Sequence, residues 1–231
     1  MKRLVVFTGA GISAESGIKT FRDSNGLWEE HKIEDVATPQ AWVKNPALVQ
    51  EFYNQRRKNL LEAKPNAGHQ AIAELQKYFN VQVITQNVDD LHERAGSQNV
   101  LHLHGELMKV RSSGYPELIY SVKGWEVKMG DLCEKGSQLR PHIVWFGEMV
   151  PEMDNAIELV QQADIFIVVG TSLNVYPAAN LLDYASAEIS KFYVDPNPDL
   201  VYNFADIKVI KQKAGIGLPD LADKLIKELF N

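Results

Sequence analysis

Hydrophobic positions along this chain fall into short blocks separated by polar, glycine-containing stretches. The first block, Leu4 to Phe7, is continuous in the manner of a buried strand, and it breaks at Thr8-Gly9 into a segment compatible with a helix. Over residues 33–63 the period lengthens: Leu48, Val49, Phe52 and Tyr53 are spaced for one apolar helical face, Pro39 suits a first turn, and Pro46 interrupts. Residues 66–78 predict a further helix, and 81–85 a strand that ends in polar Gln86-Asn87. Short helices and strands then alternate over 89–95, 100–104, 152–162, 165–169, 178–187, 192–195 and 207–210, before a final amphipathic helix over 218–229. This alternation predicts an α/β fold, a parallel sheet with helices on both faces. Residues 23–30 lack periodicity and contain Gly26, so a loop is expected there; beside a ligand site it is a candidate lid.

Residues 108–140 break the pattern. Gly114, Gly124, Gly130, Gly136 and Pro116 punctuate short β-like pieces such as Leu118-Ile119-Tyr120, which predicts a small inserted module. Tyr115, Leu118, Ile119, Tyr120, Val122 and Trp125 are the candidates for its core. The total of 231 residues suits one generous domain or a domain with a small appendage. Apolar residues at 45% and charged residues at 23% are ordinary globular values. A net charge of -6 argues against a dedicated nucleic-acid surface. After Met1-Lys2-Arg3 only Leu4 to Phe7 are apolar, too short a run for a secretion signal, and no run reaches the length of a membrane span. Cys133 is the single cysteine, so no internal disulfide can form and a reducing cytoplasm is the expected location. No direct nucleic-acid or membrane partner is expected, and a monomer or weak oligomer is.

Chemistry enters at the glycine turn. Gly9, Gly11 and Ala14 fit the spacing of a dinucleotide-binding turn, in which the first glycine makes the bend, the second admits a pyrophosphate and the third small residue packs helix on strand. Backbone N–H groups at the helix start would then face the phosphates. A plain strand-to-helix turn is the alternative, but the continuation through Ser13, Ser16, Gly17, Phe21 and Arg22 does not read as one helix's buried face. His104 closes an apolar strand before Gly105, at the sheet edge where such folds bind ligands, and imidazole suits general-base work near neutral pH. His69, His92, His102 and His142 are present too, so residue type alone does not single it out. Asn87 and Asp89 suit either a polar pocket or the cap of the following helix, and the two readings are compatible.

The stretch Gly9 to Arg22, followed in order by Thr85-Gln86-Asn87-Val88-Asp89-Asp90-Leu91-His92, Leu103-His104-Gly105-Glu106 and Gly170-Thr171-Ser172, resembles the motifs of the sirtuins, the silent-information-regulator family of NAD-dependent protein deacylases. Arg140-Pro141-His142-Ile143-Val144-Trp145-Phe146-Gly147-Glu148 is similar to that family's substrate-contacting segment. The resemblance implies a single catalytic domain over 1–231: a Rossmann-like core of about 1–32, 64–107 and 141–231, a helical insert of about 33–63 and a small module of about 108–140. It implies NAD as a consumed cosubstrate and acylated lysine side chains of proteins as partners. In that chemistry the acyl oxygen displaces nicotinamide, and His104 then activates a ribose hydroxyl, giving free lysine and O-acyl-ADP-ribose. By the same resemblance Gln86, Asn87 and Asp89 line the ribose and nicotinamide pocket, with Gly9, Ala10, Gly11 and Ser13 alongside, Phe21 shielding the reaction and Arg22 next to it. Gly170, Thr171 and Ser172 are a second phosphate and ribose contact, Asp195 and Asn197 face the adenosine ribose, and Ala214 neighbours the adenine. The family more often has Asn at the position of Asp195 and Glu at that of Asn197. Val144, Phe146, Gly147 and Glu148 would receive the substrate peptide by strand addition over 143–148, with an ordinary buried strand as the alternative.

Two departures and likenesses refine this. Sirtuins carry two Cys-x-x-Cys pairs in the small module, a zinc ribbon; here Ser112-Ser113 and Cys133-Glu134-Lys135-Gly136 leave one thiol, so no zinc is expected. Tyr53 and Arg56, three apart on a helix, look like the Tyr-x-x-Arg pair of the desuccinylase subgroup, and Ala41 resembles the small residue that makes room for a longer acyl chain. Such a pair can hold the free acid of a succinyl, malonyl or glutaryl lysine; a solvated basic cluster of Arg56, Arg57 and Lys58 is the alternative. An NAD glycohydrolase or ADP-ribosyltransferase on the same fold, and a non-catalytic NAD or ADP-ribose binding module, are the other function classes.

Overall fold

The computed structural model describes residues 1–19, 27–28, 31–173, 175–198 and 206–229. The first apolar run is β1 (Arg3–Thr8), buried from Leu4 onward, and the chain turns at Gly9-Ala10 into a single helical turn, α1 (Gly11–Ala14). Within the expected loop, β2 (Leu27–Trp28) pairs with β3 (His31–Lys32) as a two-residue antiparallel ladder; the rest of the candidate lid lies outside the described residues. The helical excursion is three helices, α2 (Ile33–Val36), α3 (Pro39–Lys44) and α4 (Pro46–Glu62). Its breaks are chemical: Thr38 and Asn45 cap α3 and α4 by accepting the N–H groups of Ala41 and Leu48, and each cap is followed by the proline that starts the next helix.

Then come α5 (Ala67–Leu75), β4 (Asn80–Thr85), α6 (Leu91–Ala95) and β5 (Val100–His102). Three antiparallel strands follow, β6 (Gly105–Ser112), β7 (Ile119–Ser121) and β8 (Leu139–Ile143). The chain ends with α7 (Met153–Gln161), β9 (Ile165–Val169), a 3₁₀ helix (Ala178–Tyr184), β10 (Ser190–Val194), β11 (Ile207–Ile210) and α8 (Ala214–Glu228).

The main sheet is all parallel, in the order β11-β10-β9-β1-β4-β5. Strand period 2 sorts its side chains into two cores. Leu4 and Val6 join Ile167, Val83 and the apolar faces of α5 and α8, whereas Val5 and Phe7 join Phe166, α7 and the 3₁₀ helix. From β1 the chain builds outward to β4 and β5, then returns to place β9, β10 and β11 on the other side. The order therefore reverses at the β1–β9 junction, and a Rossmann-like sheet binds ligands beyond the carboxyl ends of its strands at such a point.

The small module is not held by the aromatic core expected of it. Tyr115 and Ile119 are exposed, while Val110, Ser112, Val127 and Cys133 are the buried residues there. With few apolar side chains buried among its strands, the module is tied to α4 by hydrogen bonds. The Asn54 side-chain amide donates to the Val127 carbonyl at 3.0 Å and its oxygen accepts the Val127 N–H at 2.9 Å. Arg57, fully buried, donates to the Leu107 carbonyl at 2.8 Å and to Asn54 Oδ1 at 2.7 Å. Arg57 is thus no part of a solvated basic cluster. Cys133 is buried with its Sγ 3.2 Å from Ser112 Oγ, and among the described residues no group of three or more His, Cys, Asp or Glu is disposed to hold a metal ion.

Candidate active site

Beyond the carboxyl ends of β1, β4 and β9 the structure opens into a cavity of about 620 Å³. Its floor is where two chain turns cross. Gly9 N–H donates to Val169 O and Gly11 N–H to Gly170 O, so closely that a Cβ on Gly9 would sit 2.7 Å from Thr171 Cβ and one on Gly11 2.6 Å from Gly170 Cα. The glycines are needed for this crossing, with Gly170 itself at φ +59. Of the N–H groups expected to face the cavity, those of Gly9, Gly11, Ile12 and Ser13 donate to carbonyls of the chain, and α1 is one turn long. The polar character of the floor comes from side chains instead.

Those side chains form a connected set. Asn87 Nδ2 donates to Gly9 O at 3.1 Å and to Ser13 Oγ at 3.2 Å, and Ser13 Oγ donates to Asp89 Oδ2 at 2.9 Å. Gln86 Nε2 donates to Thr171 Oγ1 at 2.9 Å, and the Tyr193 hydroxyl donates to the Thr171 carbonyl at 2.6 Å. Below them Thr85 Oγ1 accepts from the Asn87 N–H and from Thr8 Oγ1. Burial pushes the Asp89 carboxyl above its ordinary value, opposed by the Leu91 N–H, the Ser13 hydroxyl and the charge of His102.

His104 lies in the tight turn between β5 and β6 and faces the cavity. Its Nδ1 is 3.0 Å from the Gln86 carbonyl, which can only accept, so Nδ1 carries the proton and Nε2 is the bare nitrogen. Burial lowers its pKa, outweighing that hydrogen bond, so the ring is neutral at pH 7. A neutral imidazole with a fixed tautomer and an open Nε2 can take a proton from a hydroxyl.

At the α4 end of the cavity Tyr53 is fully buried, its hydroxyl accepting from Trp145 Nε1 at 3.1 Å, and burial raises the phenol to about 12. Arg56, also buried, lines the same cavity, and its charge acts on Tyr53. Glu148 is gripped by Arg140 and Arg111 and accepts the Trp145 N–H at 2.7 Å, while Arg140 stacks 3.5 Å from the Trp145 ring centre.

The sequence model of the Sir2 family matches residues 9–177. The chain belongs to the Sir2 family. This Sir2 chain is 55% identical to an NAD-dependent protein deacylase of Bacteroides thetaiotaomicron, over 98% of this chain and 99% of that protein. It is 54% identical to one of Helicobacter pylori, again over 98% and 99%. A solved Sir2 homologue–NAD complex superposes with a TM-score of 0.90 at 42% identity, covering 99% of this chain and 91% of that one. A Sir2 complex with a deacetylated peptide and 3′-O-acetyl ADP-ribose gives 0.77 at 31% identity, covering 97% and 92%.

The Sir2 fold brings most of the residues named from sequence to one cavity. Gly9, Ala10, Gly11, Ser13, Gln86, Asn87, Asp89, His104, Gly170, Thr171, Ser172, Asp195, Asn197 and Ala214 line it, as do Tyr53, Arg56, Val144, Phe146, Gly147 and Glu148. Ala41 does not: it is packed in the apolar cluster with Val49 and Tyr53, and Ala37 lines the cavity instead. Phe21 and Arg22 lie outside the described residues. The expected strand over 143–148 stops at Ile143; beyond it Phe146 is 43% exposed and Gly147 has φ +90. Asp195 folds back to accept the Asn197 N–H at 2.8 Å. Sequence reading missed Trp145 as the partner of Tyr53, 92 residues away, and Glu15, whose carboxylate accepts the Gly215 N–H at the start of α8. Neither carries a local signal, because each depends on a long-range contact.

Proposed function

We propose that the chain is an NAD-dependent protein-lysine deacylase, with NAD consumed as cosubstrate. The observation that carries this reading is His104: a half-buried, neutral imidazole whose Nδ1–H is fixed by the Gln86 carbonyl and whose Nε2 is open on a cavity lined by Asn87 and Asp89. The cavity suits a dinucleotide, since two turns cross without side chains at Gly9, Gly11 and Gly170 and polar side chains ring the crossing. NAD supplies a leaving nicotinamide and an electrophilic ribose carbon; the acyl-lysine supplies the oxygen that displaces it. In this reading Asn87 and Asp89 hold the ribose and nicotinamide carboxamide, and the Asp89 carboxylate steadies positive charge developing on the ribose. His104 Nε2 takes the proton of a ribose hydroxyl as that oxygen attacks the transferred acyl carbon. Gly170, Thr171, Ser172, Asp195, Asn197 and Ala214 hold the remainder of the cofactor, and Val144, Phe146, Gly147 and Glu148 receive the peptide.

The finer proposal concerns the acyl group. Tyr53 and Arg56 lie within charge-interaction range of one another on the cavity wall, where a guanidinium and a phenol can together bind the terminal carboxylate of a succinyl or malonyl lysine. Mass spectrometry of reactions with NAD and acetyl- or succinyl-lysine peptide tests both levels. The expected products are free lysine peptide, nicotinamide and O-acyl-ADP-ribose. Nicotinamide release without acyl peptide would point to a glycohydrolase, and absence of turnover to a binding module. Arg56→Met should lower kcat/KM for the succinyl peptide at least tenfold more than for the acetyl peptide, since a charge-assisted contact is worth about 1.5–3 kcal/mol. Equal losses on both peptides would remove Arg56 from acyl recognition.

A further inference from the structure

Two histidines two residues apart hold adjacent carbonyls of one loop. His104 Nδ1 contacts the Gln86 carbonyl, and His102 Nδ1 lies 3.0 Å from the Asn87 carbonyl. They differ in what faces the other ring nitrogen. His104 Nε2 opens on the cavity, whereas His102 Nε2 is 2.7 Å from Glu93 Oε1 on α6. Both partners of His102 are acceptors, a carbonyl oxygen and a carboxylate, so both of its ring nitrogens carry hydrogen. On this geometry His102 is an imidazolium, and its side chain is only 8% exposed.

We propose that His102 is a positioning residue for the reaction: bridging the Glu93 carboxylate and the Asn87 carbonyl as a cation, it fixes the Gln86-to-Asp89 loop, and it releases Asn87 when it loses a proton. This rests on the reading of Asn87 and Asp89 given above. The groups facing His102 from the elements packed against it account for its charge. Burial works against the charge, and Glu93 on α6, the Asn87 carbonyl and Glu106 on β6 outweigh it, raising the pKa above 6.5. Lys109 is tied to Glu106 at 2.7 Å and also acts on Glu93. His92 on α6 and Asp89 after β4 feel the His102 charge in turn, His92 pushed down further and Asp89 held toward its ionised form.

The proton that leaves is the one on Nδ1. Nε2–H is held by a charged carboxylate, a stronger bond than that of Nδ1–H to a neutral carbonyl. With Nδ1 bare, a lone pair faces the Asn87 carbonyl oxygen, two acceptors repel, and the loop that carries Asn87 and Asp89 loses its support. Because the pKa is raised, the clamp is complete at lower pH and is lost as pH rises through that value.

The test is the pH dependence of kcat, and of KM for NAD, with acetyl-lysine peptide in the parent, Glu93→Gln and His102→Phe. The parent should show an alkaline limb in kcat. In Glu93→Gln the neutral amide no longer fixes the proton on Nε2, so Nδ1–H stays on Asn87 and the limb should flatten. The Glu93 side chain is 40% exposed, so this variant folds even if His102→Phe does not. His102→Phe should lose about 10- to 100-fold in kcat on the low-pH side of the limb, the size expected of a misplaced catalytic loop, and, lacking the limb, should approach the parent as pH rises. A parent without an alkaline limb, or the same limb in both variants, overturns the proposal. Asn87→Ala separates the two levels. An active Asn87→Ala enzyme removes the reading of the loop and the clamp with it, whereas an inactive one beside unchanged Glu93→Gln and His102→Phe profiles overturns the clamp alone.

Discussion

The behaviour of each histidine is set by what its two ring nitrogens touch. His104 is kept neutral by burial and oriented by one carbonyl, so its pKa lies below 6.5 and the base form persists into mildly acidic solution. The sign follows directly: activity that needs the neutral ring is full above that pKa and falls as pH drops through it. The expected profile of kcat/KM therefore has an acid limb below pH 6.5. His104→Ala should cost about two to four orders of magnitude in deacylation while leaving NAD binding largely intact. Titration calorimetry with NAD and a peptide assay measure the two separately; retained turnover above a few per cent would put the base elsewhere. His104, half-buried, was distinguishable from the fully buried His92 only through its place before Gly105 at a strand end. His102 was invisible as a partner of Asn87, because nothing in a sequence shows which carbonyl a ring will meet.

At the level of elements, strands and capped helices were the legible part. Continuous apolar runs became the four central positions of β1 and all of β9, and Pro39 and Pro46 each opened a helix because Thr38 and Asn45 stood before them. Residues 178–187 read as a short helix, and Ala178–Tyr184 of them fold as a 3₁₀ helix, a type that apolar spacing alone does not specify. The small module was misread most. Its aromatic residues looked like a core, yet its support is polar and comes from α4, through one asparagine and one buried arginine. Asn54→Ala leaves the buried N–H and C=O of Val127 without partners and should cost about 1–3 kcal/mol in urea unfolding. An unchanged midpoint would show that the α4 contacts do not secure the module. The same dependence predicts that a chelator leaves the melting curve of the parent unmoved, and elemental analysis showing one zinc per chain would contradict it.

Across the whole molecule, the order of the parallel sheet explains why motifs scattered from Gly9 to Asp195 meet at one cavity: each follows the carboxyl end of a strand on either side of the reversal at β1. Sequence reading reached this convergence through strand ends and motif order, but not the crossing of the Gly9 and Gly170 turns, which only the folded backbone brings together. The fold also gathers buried imidazoles. His69 and His92 stack edge to face with ring centres 4.9 Å apart, and burial lowers His69 to about 4 and His92 well below 6.5. His104 and His142 are lowered as well, and His102 alone is raised. Each lowered group is neutral in the fold and free to take a proton near pH 6.5 once unfolded, so between those values the unfolded state binds more protons. Stability is then full above about pH 6.5 and is lost as pH falls toward 4, with His69 alone contributing on the order of 3 kcal/mol. His102 acts in the opposite sense, favouring the fold at low pH, but it is one group against four. Urea unfolding at pH 7 and pH 5 should show a loss of a few kcal/mol on acidification, and His69→Gln, whatever its stability at pH 7, should show a smaller loss. A parent equally stable at both values would mean that the buried pair is not kept neutral by the fold.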